Sequence, residues 1–70
     1  MSTTIYSKEQ STTHKYGVSA QFMPGHPETL WYKSRRAAVA AAKEVNTRPW
    51  NRFGNRAGLV LPSGEITRSY

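Results

Sequence analysis

Apolar and polar residues alternate over residues 15–23: Tyr16, Val18, Ala20 and Phe22 fall on one face, and Lys15, Gly17, Ser19 and Gln21 on the other. A period of two predicts a half-buried strand. Pro24, Gly25, His26 and Pro27 then interrupt the pattern with residues that lack ladder donors or supply reversal geometry, so a hairpin turn is expected across them. Residues 29–33 read as the return strand, with Leu30 and Tyr32 facing the core and Thr29, Trp31 and Lys33 facing outward. Beyond Ser34 the period changes. Ala38, Ala41, Ala42 and Val45, with Val39 on the shoulder, form one helical stripe, and the Ser34 hydroxyl can accept from free amides of the first turn. This predicts a helix from Arg35 to about Asn46, stopped by Arg48-Pro49 because proline disfavours a helical predecessor.

Residues 50–58 read as an irregular connection, long for so small a domain. Leu59, Val60 and Leu61 form a short apolar strand, residues 62–65 a tight turn, and residues 66–70 a last alternating strand. Residues 1–14 are rich in Ser and Thr, with only Ile5 and Tyr6 to bury; a flexible polar arm is expected there, with room for a short edge strand over residues 4–7. The expected architecture is a single α+β domain over residues 15–70, a three- to four-stranded antiparallel sheet with one helix packed on one face, in the order β-β-α-β(-β). Seventy residues support one core. Because the helical stripe is nearly all alanine, the helix should lie close to the sheet, with Tyr16, Phe22, Leu30 and Tyr32 filling the layer between them.

Charge adds a functional direction. Ten Lys and Arg face four acidic residues, all of them Glu, for a formal charge of +6. Such an excess concentrates polyanions around a protein. With no cysteine, a disulfide framework, a thiolate zinc site and a catalytic thiol are excluded, and a reducing compartment is expected. No stretch approaches a membrane span and the first residues lack the apolar segment of a signal peptide, so a cytoplasmic location with no membrane partner is expected.

The cations are not spread evenly. Arg48, Arg52 and Arg56 recur every four residues with Trp50 and Phe53 between them and no acid among them. Guanidinium groups fork onto phosphates or carboxylates, while the rings either stack on bases or fold back to close a thin core. Arg35 and Arg36 stand in the first helical turn, where the helix dipole disfavours cations and where, with free amides, they would suit a phosphate. Lys33 and Trp31 share the outer hairpin face with Lys15 and Gln21, as a stacking platform would. Catalysis finds no constellation: His14 and His26 have no paired carboxylate, no nucleophile turn and no metal-ligand spacing, so no enzyme activity, metal or cofactor is expected.

Residues 16–45, with their aromatic hairpin, the Tyr32-Lys33-Ser34 entry and the alanine-rich helix, resemble the β-β-α units with which phage integrases bind DNA arm sites. The long Arg/Trp/Phe loop and the extra C-terminal strand depart from that pattern. The whole order β-β-α-β also resembles the small early proteins with which T7-type phages inhibit host RNA polymerase, and that resemblance implies a role for Arg56 and Arg68 in gripping an acidic surface. The expected function is a basic, non-catalytic phage or mobile-element accessory factor that binds nucleic acid through the Arg/aromatic loop. The alternative is an inhibitor or adaptor that docks on an acidic surface of host RNA polymerase or another nucleic-acid enzyme.

Overall fold

The computed structural model describes residues 6–51, 55–68 and 70. The strands are β1 (Tyr6–Ser7), β2 (Tyr16–Met23), β3 (His26–Tyr32), β4 (Gly58–Val60) and β5 (Ile66–Thr67); the helix α1 spans Arg35–Val45, and a short 3-10 turn spans Pro49–Asn51. All the pairings are antiparallel, in the order β1-β3-β2-β4-β5, so the long β2–β3 hairpin lies at the centre and the shortest strands at the margins. The α+β class and the single helix on a sheet agree with the sequence pattern. The short edge strand allowed for over residues 4–7 is present as β1, where Tyr6 pairs with Tyr32 and Ser7 with Trp31, so the described sheet has five strands and not three or four.

The hairpin turns more tightly than its prolines suggest. β3 begins at His26, three residues ahead of the expected Thr29, and the reversal is confined to Pro24 and Gly25, whose φ of 77° only glycine adopts easily. The Gln21 side chain steadies it by accepting from the Gly25 amide at 2.8 Å. Pro27 fits inside β3 because β1 reaches only Trp31 and Tyr32, leaving β3 an edge strand at that point. The register shifts between Gln21 and Met23, so Phe22 is the extra residue of a bulge. At the other end of the sheet, the β4–β5 turn closes through Gly64, whose amide donates to the Leu61 carbonyl at 2.8 Å and whose φ is 96°.

Helix α1 starts where the capping pattern placed it. The Ser34 hydroxyl accepts from the Ala37 amide at 3.1 Å, satisfying one orphan donor of the first turn. Ala38, Ala42 and Val45 are buried against Val18, Ala20, Leu30, Tyr32 and Leu59, and small alanines let the helix axis approach the sheet. Val18 and Leu59, neighbours in register on β2 and β4, are fully buried beneath it. Tyr32 closes the core toward β1, its ring 6.3 Å from that of Tyr6. Burial holds the Tyr32 phenol above its ordinary pKa of 10, with further upward pushes from Tyr6 and Glu44.

Two outcomes follow. Leu59→Ala should destabilise the fold by about 2 to 5 kcal/mol, readable as a lower urea midpoint with an unchanged slope. Because the folded state holds the Tyr32 proton more tightly than the unfolded chain, its contribution is complete below the unfolded value and is lost as pH rises through the folded one. Denaturant midpoints measured upward from pH 9 to 11, about the phenol range, should therefore fall less steeply in Tyr32→Phe than in the parent.

Candidate functional site

Each strand presents alternate side chains to opposite faces, and α1 covers one face. On the other, the register sets Ile66, Val60, Gly17, Trp31 and Ser7 in one row across the sheet. The next outward row runs through Gly58, Ser19 and Thr29. Trp31, Val60 and Thr29 are half-buried there and Ile66 remains 48% exposed. No helix packs on this face among the described residues.

Glycines shape this surface at the points where flat groups lie on it. A β-carbon at Gly17 would fall 2.8 Å from the six-membered ring of Trp31 and 3.1 Å from the Thr29 methyl. The indole thus rests on the bare backbone of β2. A β-carbon at Gly58 would fall 2.8 Å from Ile66 and 3.2 Å from the Arg68 guanidinium, which lies over β4 in the same way. A glycine inside a strand marks such close approaches.

Arg68 donates to the Arg56 carbonyl at 3.2 Å, and the Arg56 guanidinium donates to the Tyr70 carbonyl. Both side chains border a shallow cleft of about 160 Å³ with Ser19, Gln21 and Asn55. Each guanidinium has five N–H donors and spends one in these contacts, leaving the rest for a partner. None of the four glutamates shares the two outer rows: Glu28 and Glu65 alternate with the outward residues Thr29 and Ile66, Glu44 belongs to α1, and Glu9 lies beyond β1.

Other described cations among the sequence candidates lie at the two ends of α1. Lys33, Arg35 and Arg36 are exposed at the N-terminal end of α1, beside the Tyr16–Tyr32 end of the sheet. Arg48 follows the other end of the helix, about 16 Å away at 1.5 Å rise per residue. Its guanidinium is engaged with the Glu44 carboxylate at 2.7 Å, an exposed i, i+4 pair. Arg52 and Phe53 lie outside the described residues. Of the three arginines expected to act together, Arg48 meets Glu44 and Arg56 meets Arg68.

Trp50 is half-buried and bonded to the sheet. Its indole N–H donates to the Gln21 carbonyl at 2.9 Å, and Asn51 Nδ2 donates to the same oxygen at 2.9 Å and to the Val45 carbonyl at 3.0 Å. The β2–β4 ladder ends at Ser19, so this 3-10 turn takes over where paired strand stops. Asn51 is fully buried. Asn46, the residue after the helix, accepts from the Ala57 amide at 2.8 Å and so ties the start of β4 to the helix end.

The sequence reading missed these asparagines, which look like ordinary turn formers, and missed Gly17 and Gly58, whose signal was glycine within an apolar or alternating run. Among the described residues, no three His, Cys, Asp or Glu side chains gather to hold a metal, and no helix is long and apolar enough to cross a membrane. No family model, curated protein or solved structure matches the chain.

The contrast between the two basic segments can be measured. Arg48→Ala should change stability by no more than about 0.5 kcal/mol, the usual range for an exposed helical pair. Asn51→Ala, which removes one of two donors from each of the Gln21 and Val45 carbonyls, should cost about 1 to 3 kcal/mol by thermal or urea unfolding.

Proposed function

We propose that this chain is a non-catalytic nucleic-acid-binding protein, an accessory factor of the phage or mobile-element kind, and that it binds through the uncovered sheet face and not through the loop after the helix. The observation that carries this reading is the placement of Trp31 over Gly17 and of Arg68 over Gly58, with Arg56 bordering the same cleft as Arg68, on a face where no glutamate joins the outward rows. Guanidinium groups with free donors fork onto phosphate oxygens, and the overall charge of +6 draws a polyanion toward them. Lys33, Arg35 and Arg36 add to the long-range attraction from one end of the sheet.

A second reading has its own support in Ile66, which is exposed next to Arg68. An apolar side chain beside an arginine is the composition of a protein hot spot, as for an inhibitor docked on an acidic surface of RNA polymerase.

Anisotropy titrations of labelled DNA and RNA over a series of KCl concentrations test the proposal. Affinity should fall log-linearly with salt, and Arg56→Ala with Arg68→Ala should flatten the slope by roughly 0.7 to 0.9 per lost phosphate contact. No complex with either nucleic acid at low salt, or a double variant with an unchanged slope, overturns it. Capture of RNA polymerase from nuclease-treated lysate without any nucleic-acid binding would establish the second reading instead.

A further inference from the structure

Two flat, π-bearing groups rest on the same open face, each over a glycine. Gly17 pairs with Val60 and Ser19 with Gly58, so the Trp31 and Arg68 platforms stand diagonally across adjacent strands. Diagonal neighbours in an antiparallel pair are about 7 to 8 Å apart. Trp31 and the Thr29 methyl both lie close over Gly17, as Arg68 and Ile66 do over Gly58; Trp31 is half-buried and Arg68 exposed, so each keeps surface open to a ligand. A duplex hides its base faces inside the stack and offers a sheet only its phosphates and groove edges. Unpaired bases, by contrast, have free faces that stack on indole and guanidinium planes.

We infer that the ligand of this face is single-stranded RNA, with one base stacked on Trp31, a neighbouring base on Arg68, and a phosphate between them held by Arg56. The inference rests on the nucleic-acid reading above and adds strand state and sugar to it. RNA is favoured by the chemistry of the adjoining cleft. Ser19 brings a hydroxyl, and Gln21 and Asn55 bring amides, to the border of the arginine cluster. A ribose 2′-hydroxyl both donates and accepts, and side chains of this kind can meet it in both roles.

The same geometry gives Gly17 a purpose in binding. Any β-carbon there would sit within 3 Å of the indole and lift it from the sheet, tilting the stacking surface. Gly17→Ala is therefore a test of ring placement that leaves every cation and every aromatic ring in the chain.

The experiment compares Kd values, by anisotropy with the full chain, for a labelled oligouridylate of about 12 nucleotides, within the usual range of site sizes. Its partners are the matching oligodeoxyuridylate and an RNA duplex of equal phosphate number. Trp31→Leu keeps apolar bulk without a π face and should weaken oligouridylate binding roughly tenfold, whereas Trp31→Phe should lose only a few-fold. Gly17→Ala should follow Trp31→Leu, and all three variants should bind duplex as the parent does, with folding checked by circular dichroism. Equal affinity of the parent for duplex and oligouridylate, or equal binding by the Leu and Phe variants, would overturn the stacking assignment while leaving nucleic-acid binding in place. Equal affinity for the deoxy oligomer would overturn the assignment to RNA. Absence of binding to all the probes would remove this inference together with the function proposed above.

Discussion

A single helix can cover only one face of a sheet. In this chain the helix is short and its contact stripe is alanine, so the buried layer is thin and concentrated over β2, where Val18 and Leu59 are fully enclosed. Everything else follows from how the molecule treats the face that is left. The helical side receives the larger apolar residues of the hairpin. The open side receives glycine, serine, threonine and a tryptophan laid flat, so that a small domain exposes an aromatic group without projecting it into water. That division comes from the period of two in β2 and β3, and it ties the fold directly to the proposed binding surface.

The hairpin and helix were legible in the sequence because each rests on local chemistry. Alternation over β2, the Ser34 cap and the alanine stripe all act within a few residues, and the structure places them where those signals point. The early start of β3 was less legible. Pro27 argues against a strand by its own chemistry, and only knowing that β1 stops short of it explains why it is tolerated. Strand β1 falls within the stretch 4–7 where the sequence left room for an edge strand, but its partner, β3, lies far along the chain and is not readable from those residues.

The site was legible in its ingredients and not in its grouping. Spacing suggested that Arg48, Arg52 and Arg56 act together; the i, i+4 placement of Glu44 before Arg48 made that ion pair readable, whereas nothing local revealed that Arg56 would meet Arg68 from just beyond the last strand. Trp50 was open to two roles, and its bond to the Gln21 carbonyl, left free where β4 ends, could not be read from its neighbours in sequence. Asn51 shares that carbonyl and also holds the helix exit at Val45. A connection with the composition of a binding loop thus spends its best hydrogen-bonding groups on joining the helix to the sheet.

The outermost strands carry a consequence for assembly. Both are only two residues long, so a second chain seeking to lengthen the sheet finds almost no ladder to copy at either margin. The longer exposed border of β3 carries a proline, whose nitrogen cannot donate to an incoming strand. At the described margins, then, an incoming strand meets few open ladder donors.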